Sequence, residues 1–166
     1  MAKYIRIAAF AIAALVATTA TGDTTNESPE EIQLHRDHER QLKCLADNIY
    51  HEAGSESTAG KLAVAQIVVN RTENPKFPDD PCQVIYQKTR VDNKVICQFS
   101  WHCDKSIRNR KINQAMWNES YDAARRVLLE GFRLPKLQNA LYFHAEHVNP
   151  GWALRRAAKI GRHIFY

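Results

Sequence analysis

Leu42, Leu45 and Ile49 recur at spacings of three and four residues, the period that lines side chains along one face of a helix, and Glu52 falls next on that face. A first helix is therefore expected from about Pro29 or Asp37 to Ala53, with Gly54 as its C-terminal cap. A second is expected from Ser57 or Thr58 to Arg71. Its Leu62, Ala63, Ala65, Ile67, Val68 and Val69 make it apolar almost all round, which marks it as the helix at the centre of the core. Asn74-Pro75 breaks that pattern, and Asp79, Asp80 and Pro81 are start signals for a third, carrying Val84, Ile85 and Tyr86. Residues 91–104 are too irregular for a long helix and read as a loop or short strands presenting Gln98, Phe99, Ser100 and Trp101. A fourth helix fits about Ile112 to Glu130, stopped by Gly131. The tail predicts strand-like pieces at 140–144 and 163–166 around a short helix near 152–159. No internal repeat or low-complexity run is present.

At 166 residues, 45% hydrophobic and 25% charged, the chain suits one globular domain with its own core. The formal net charge is +5, of which Lys3 and Arg6 supply two. Clusters such as Arg108, Arg110 and Lys111, or Arg155, Arg156 and Lys159, read mainly as solvated helix faces. No finger, phosphate loop or paired strand aromatics indicate nucleic-acid binding.

Lys3 and Arg6 precede the apolar run Ile7 to Val16, and small residues follow, the pattern of an export signal cleaved after Ala20 or Gly22. The run is short for a spanning helix, which needs about 20 apolar residues, so a weak membrane tether is the alternative. The expected organisation is a signal peptide or tether at 1–22, a linker at 23–38 and a catalytic domain at 39–166, acting as a monomer outside the cytoplasm. Export alters the reading of Cys44, Cys82, Cys97 and Cys103. An even number of cysteines in an oxidising compartment predicts two disulfides. Three pairings are open, one of which closes the short Cys97–Cys103 loop and joins Cys44 to Cys82. A zinc site on Cys97, His102 and Cys103 is the rival, but its spacing does not match the usual two-pair ligand pattern. No motif calls for a metal, nucleotide or other cofactor.

Glu52 is the leading chemical candidate. A carboxylate that closes a buried stripe pays for desolvation of its charged form, so its pKa rises toward the range a general acid needs at neutral pH. The competing account makes it the exposed last residue of a fraying helix.

Seven blocks then occur in order: Asn48-Ile-Tyr-His-Glu-Ala-Gly-Ser-Glu56, Ala63 to Arg71, Phe77-Pro78 with Cys82 and Val84 to Gln87, Cys97-Gln-Phe-Ser-Trp-His-Cys-Asp104, Tyr142-Phe-His-Ala145, Pro150-Gly-Trp152 and Ile160 to Tyr166. Together they resemble the spore-cortex-lytic type of cell-wall hydrolase over about Leu42 to Tyr166. His51 and Gly54-Ser55 depart from the usual residues there, and Glu52 is kept. The resemblance implies a mainly helical, lysozyme-like α+β domain with a small β region. It also implies cleavage of the MurNAc–GlcNAc glycan backbone of peptidoglycan by lytic transglycosylation, with Glu52 as acid and then base. Gln98, Phe99 and Ser100 would line the sugar groove. Tyr142 and His144, on one face of a strand, would meet it, and Glu56 would orient or bind substrate. Trp152, Phe165 and Tyr166 are expected to pack. A hydrolase with two carboxylates would need a partner for Glu52 about 5 to 9.5 Å away, for which Glu56, Asp104 and Glu146 are the candidates. Two other classes are a zinc-dependent amidase and a non-catalytic wall-binding protein. The first is disfavoured because Ser55 stands where a His-Glu-x-x-His helix needs its second His, the second because Glu52 is present.

Overall fold

The computed structural model describes residues 28–166; the expected signal segment, and the linker up to residue 27, lie outside them. Helix α1 (Pro29–Ala53) begins with a capping box, in which Ser28 Oγ accepts from the Glu31 amide at 3.2 Å and Glu31 Oε2 accepts from the Ser28 amide at 2.7 Å. Of the two expected starts, Pro29 and Asp37, the helix uses Pro29, so residues 29–38, assigned also to the linker, are helical. The helix is exposed as far as Arg40 save for a half-buried Asp37, and its buried face starts at Leu42.

Gly54 ends α1 for a reason other than the left-handed cap that glycine usually supplies. Its φ is −56°, and a Cβ there would stand 3.0 Å from Met116 Cε. What glycine provides is the close approach of a neighbouring helix. Helix α2 (Thr58–Thr72) starts at Ser57 and is buried from Gly60 through Arg71, as its all-round apolarity predicts. Helix α3 (Pro81–Ile85) has Asp80 as N-cap, and that carboxylate also accepts from Arg40 Nη2 at 2.7 Å and Gln41 at 3.1 Å. The Cys44–Cys82 disulfide makes the same junction covalent.

Strands β1 (Lys88–Val91) and β2 (Lys94–Cys97) form a hairpin turning at Asp92-Asn93, both with positive φ. Two one-turn helices follow, α4 (Ser100–Cys103), where the sequence indicated only loop or strand, and α5 (Lys105–Arg108). The Cys97–Cys103 disulfide closes β2 onto α4, so of the three open pairings the chain uses the local one. Helix α6 (Gln114–Leu128) is capped by Asn113 and packs on α1 and α2 through Ala123, Ala124 and Val127.

The remainder forms a three-stranded antiparallel sheet, ordered β3 (Phe143–Ala145), β5 (His163–Phe165), β4 (Ala158–Ile160). The helix expected near 152–159 is absent: residues 151–157 have no regular structure, and Ala158-Lys159-Ile160 is a strand. Pairing overrides the helical preference of Ala157-Ala158, because the Ala157 amide donates to Phe165 O at 2.8 Å and Gly161, at φ +57°, turns β4 straight into β5. The segment 134–140 that leads into the sheet is held to α2 by polar side chains: Asn70 Nδ2 donates to Leu137 O at 2.7 Å and Ala140 O at 2.8 Å, and Gln66 exchanges bonds with Leu134. Phe165 is fully buried between these layers.

Candidate active site

Glu52 occupies the last turn of α1, half-buried where the helical layer meets the small sheet. Three adjoining hollows meet at it. One, of about 410 Å³, is walled by Arg71, Gln98, Phe99, Ser100, Phe143, His144 and His163. A second, of about 290 Å³, opens toward α5 and α6. A third, of about 240 Å³, includes Glu56, His147 and Arg162. The acid thus stands along a groove instead of at a frayed helix end.

Desolvation pushes the Glu52 carboxyl up to about 7, against the opposing pull of the Arg71 guanidinium. Arg71 is 3% exposed, and burial brings it down to about 10, so it stays cationic at neutral pH. Its Nε donates to Leu141 O at 2.8 Å, its guanidinium lies 5.2 Å from the Phe77 ring centroid and 5.5 Å from that of Phe99, and its Nη1 is buried without a partner. A cation without its full set of acceptors thus stands in the wall of the cavity that holds the acid. Sequence reading placed Arg71 only within a motif block. The available signal was a charged residue closing an otherwise apolar helix, since such a side chain is buried only with partners.

The loop 98–100 meets the groove with Gln98 and Ser100 exposed and Phe99 buried at 4%. One segment thus presents two polar side chains and plugs the core with the ring between them. Trp101 anchors it from behind: its Nε1 donates to Asn48 Oδ1 at 3.1 Å, and His51 stacks on its indole at 4.4 Å. Burial lowers the His51 pKa, which favours the neutral ring.

On the sheet side, Phe143 and His144 both line the Glu52 cavity. His144 Nε2 bonds with Tyr166 Oη at 3.0 Å, and its Nδ1 lies 2.8 Å from Ala145 O. Tyr142 lies elsewhere. Its ring sits over Arg71 and beside Trp152, lining a separate shallow hollow with Trp152, Ala153 and Leu154. Trp152, expected to pack, is 43% exposed, Tyr166 is half-buried, and Phe165 is core. His163, which the sequence places only within a motif block and a strand-like piece, is buried in the wall beside Glu52, and burial lowers its pKa.

Glu56 is built into the fold. Its carboxylate accepts from Arg162 Nε at 2.7 Å and from the Arg162 amide at 3.2 Å, and these bonds hold its pKa below the ordinary value. Gly60 and Gly161 leave the space it fills: a Cβ on Gly161 would come within van der Waals overlap of Glu56 Oε2. Asp104 caps α5 through the Ser106 and Ile107 amides, and Glu146 is ion-paired with Lys159. All three carboxylates that could partner Glu52 are engaged elsewhere. The set considered for zinc is divided by the Cys97–Cys103 disulfide. Among the described residues no three His, Cys, Asp or Glu side chains are grouped to hold a metal.

A helical layer meeting a small sheet across a groove, with one desolvated carboxylic acid in its floor, defines a lysozyme-like α+β domain. The chain belongs to the Cell Wall Hydrolase family, whose model matches residues 55–166. That match begins three positions after Glu52. The spore cortex-lytic enzyme of Oceanobacillus iheyensis is 28% identical over 149 residues, 87% of this chain and 48% of that protein; the chain spans about half the length of this relative. The crystal structure of the catalytic domain of the Bacillus cereus SleB protein superposes with a TM-score of 0.56 at 26% identity, covering 76% of this chain and 89% of that one. The catalytic domain of the germination-specific lytic transglycosylase SleB from Bacillus anthracis gives 0.54 at 25% identity, covering 75% and 92%.

Proposed function

We propose that the chain cleaves the MurNAc–GlcNAc backbone of peptidoglycan by lytic transglycosylation, with Glu52 as its one catalytic carboxyl group. The observation that carries this reading is an acid held protonated up to about pH 7 in a groove whose neighbouring carboxylates are all engaged by other groups. Protonated Glu52 gives its proton to the glycosidic oxygen as the C1–O bond breaks and the sugar becomes oxocarbenium-like. The resulting carboxylate takes the proton of the muramyl 6-hydroxyl, whose oxygen attacks C1. The product is a 1,6-anhydro end, no water is consumed, and Glu52 is returned to its starting form. Gln98, Ser100 and His144 bond the sugars, and the buried Arg71 holds positive charge beside the acid. The disulfides and the N-terminal pattern support action outside the cytoplasm.

Digestion of purified peptidoglycan by the wild type and by Glu52→Gln, read by mass spectrometry, tests the reading. Muropeptides one water lighter than their reducing counterparts, absent with the variant, are expected. Reducing ends would replace transglycosylation with hydrolysis through a second carboxylate. Free stem peptides on intact glycan would overturn glycosidic cleavage altogether.

A further inference from the structure

The two sides of the groove differ in charge. Toward the sheet, Glu52 is surrounded by aromatic and neutral polar side chains together with the buried Arg71. Toward α5 and α6, its cavity is lined by Tyr50, Ile107, Met116 and two cations, Arg110 and Lys111. Both are exposed, and neither side chain makes a hydrogen bond or ion pair with another described residue. Asp104, whose pKa is lowered partly by the charge of Arg110, has its carboxylate occupied in capping α5.

The segment carrying these cations is held in place from both ends. The Arg110 amide donates to Ile107 O at 3.1 Å, while Asn113 caps α6 and donates its own amide to Tyr50 Oη at 3.0 Å. Tyr50 precedes Glu52 by two residues on α1, so the acid and the cationic ledge are fixed to the same helical turn. Arg71, and neither Arg110 nor Lys111, is the cation that lowers the Glu52 pKa.

The glycan backbone that the proposed function assigns to this groove is itself neutral; its anionic groups are the carboxylates of the peptide stems on muramyl residues. Resting on that assignment, we propose that Arg110 and Lys111 form a carboxylate-binding ledge for the peptide stem near the scissile bond, so that strands bearing stems are preferred over strands stripped of them. The ledge selects substrate by charge.

The test uses soluble glycan strands with and without stems, the latter prepared by amidase treatment and both freed of teichoic acid. Binding is measured to the full chain carrying Glu52→Gln, which leaves the strands uncut. Two exposed charge contacts predict a roughly three- to twentyfold tighter Kd for stem-bearing strands, falling as salt rises from about 50 mM to about 500 mM. Adding R110A and K111A together should abolish the preference, while R110K with K111R should retain it. Equal affinity for the two strands, or a preference that survives the double alanine variant, would overturn the inference. Cleavage of the same strands by wild-type protein reads the proposed function separately. Stem preference without cleavage would sink that function and leave the ledge standing, and cleavage without preference would do the reverse.

Discussion

Replacing Glu52 by Gln should stabilise the folded protein, and by an amount that depends on pH. Desolvation moves the carboxyl from its ordinary 4.5 to about 7 in the folded chain. Between those two values the unfolded chain has released the proton and the folded chain has kept it, so stability falls as pH rises. The stabilising contribution is fully present below about pH 4.5 and is lost as pH passes through about 7, beyond which the loss is constant. At 1.36 kcal/mol per tenfold change in acidity, the shift corresponds to about 3 kcal/mol. Water in the groove makes that a ceiling. Glutamine occupies nearly the same volume and never ionises, so it escapes the loss. Urea unfolding of both proteins at pH 4, 5.5, 7 and 8.5 should give curves that diverge steadily and then run parallel, with the variant ahead by up to about 3 kcal/mol, or roughly 6–12 °C in Tm. Parallel curves across the whole range would refute the reasoning, because they would mean that Glu52 keeps an ordinary pKa in the folded state.

Three further outcomes follow from other parts of the molecule. A general acid with a pKa near 7 predicts that kcat/KM falls on the alkaline side near that pH; Arg71→Met, by removing the opposing cation, should move that limb to higher pH, and an unmoved limb in an active variant would exclude Arg71 as the neighbour that sets it. Loop-closure entropy predicts that breaking Cys44–Cys82, with 38 residues between its ends in sequence, costs about 4 kcal/mol and breaking Cys97–Cys103, six apart, about 2 kcal/mol; denaturant unfolding of the paired serine variants checks the order. Gly161→Ala should cost roughly 1–3 kcal/mol, because its φ of +57° and the Glu56 carboxylate both oppose a side chain there, and a melting temperature equal to that of wild type would show that neither constraint acts at this turn.

The helices were legible because their signals are local. Leu42, Leu45 and Ile49 declare a face, Ser57, Asp80 and Asn113 sit where caps belong, and the start and stop residues place α6 within two residues of its observed ends. The tail was not, since Ala157 and Ala158 favour a helix in isolation and become extended only by pairing with β5, a partner the local pattern does not announce. The site divides in the same way. Glu52 could be singled out from the stripe it closes. Arg71 and His163 could not, because their place beside it depends on the approach of α2 and β5. The commitment of Glu56 to Arg162, 106 residues distant, has no trace in spacing at all. Arg110 and Lys111 were read as part of a solvated helix face; they lie instead in the connection between α5 and α6, on the wall of the groove.

The groove is assembled from the end of α1, the end of α2, the loop at 98–100 and two strands from the last quarter of the chain. No fragment of it is chemically meaningful alone. In an unfolded or half-folded chain Glu52 is an ordinary water-exposed carboxylate, ionised at neutral pH with no proton to give. Under the proposed function, reactivity therefore switches on only once these distant segments have come together, and the fold itself acts as a safety catch on newly made molecules. Turnover at pH 7 then becomes a sensitive gauge of the properly folded fraction in a preparation, more stringent than any measure of helix content.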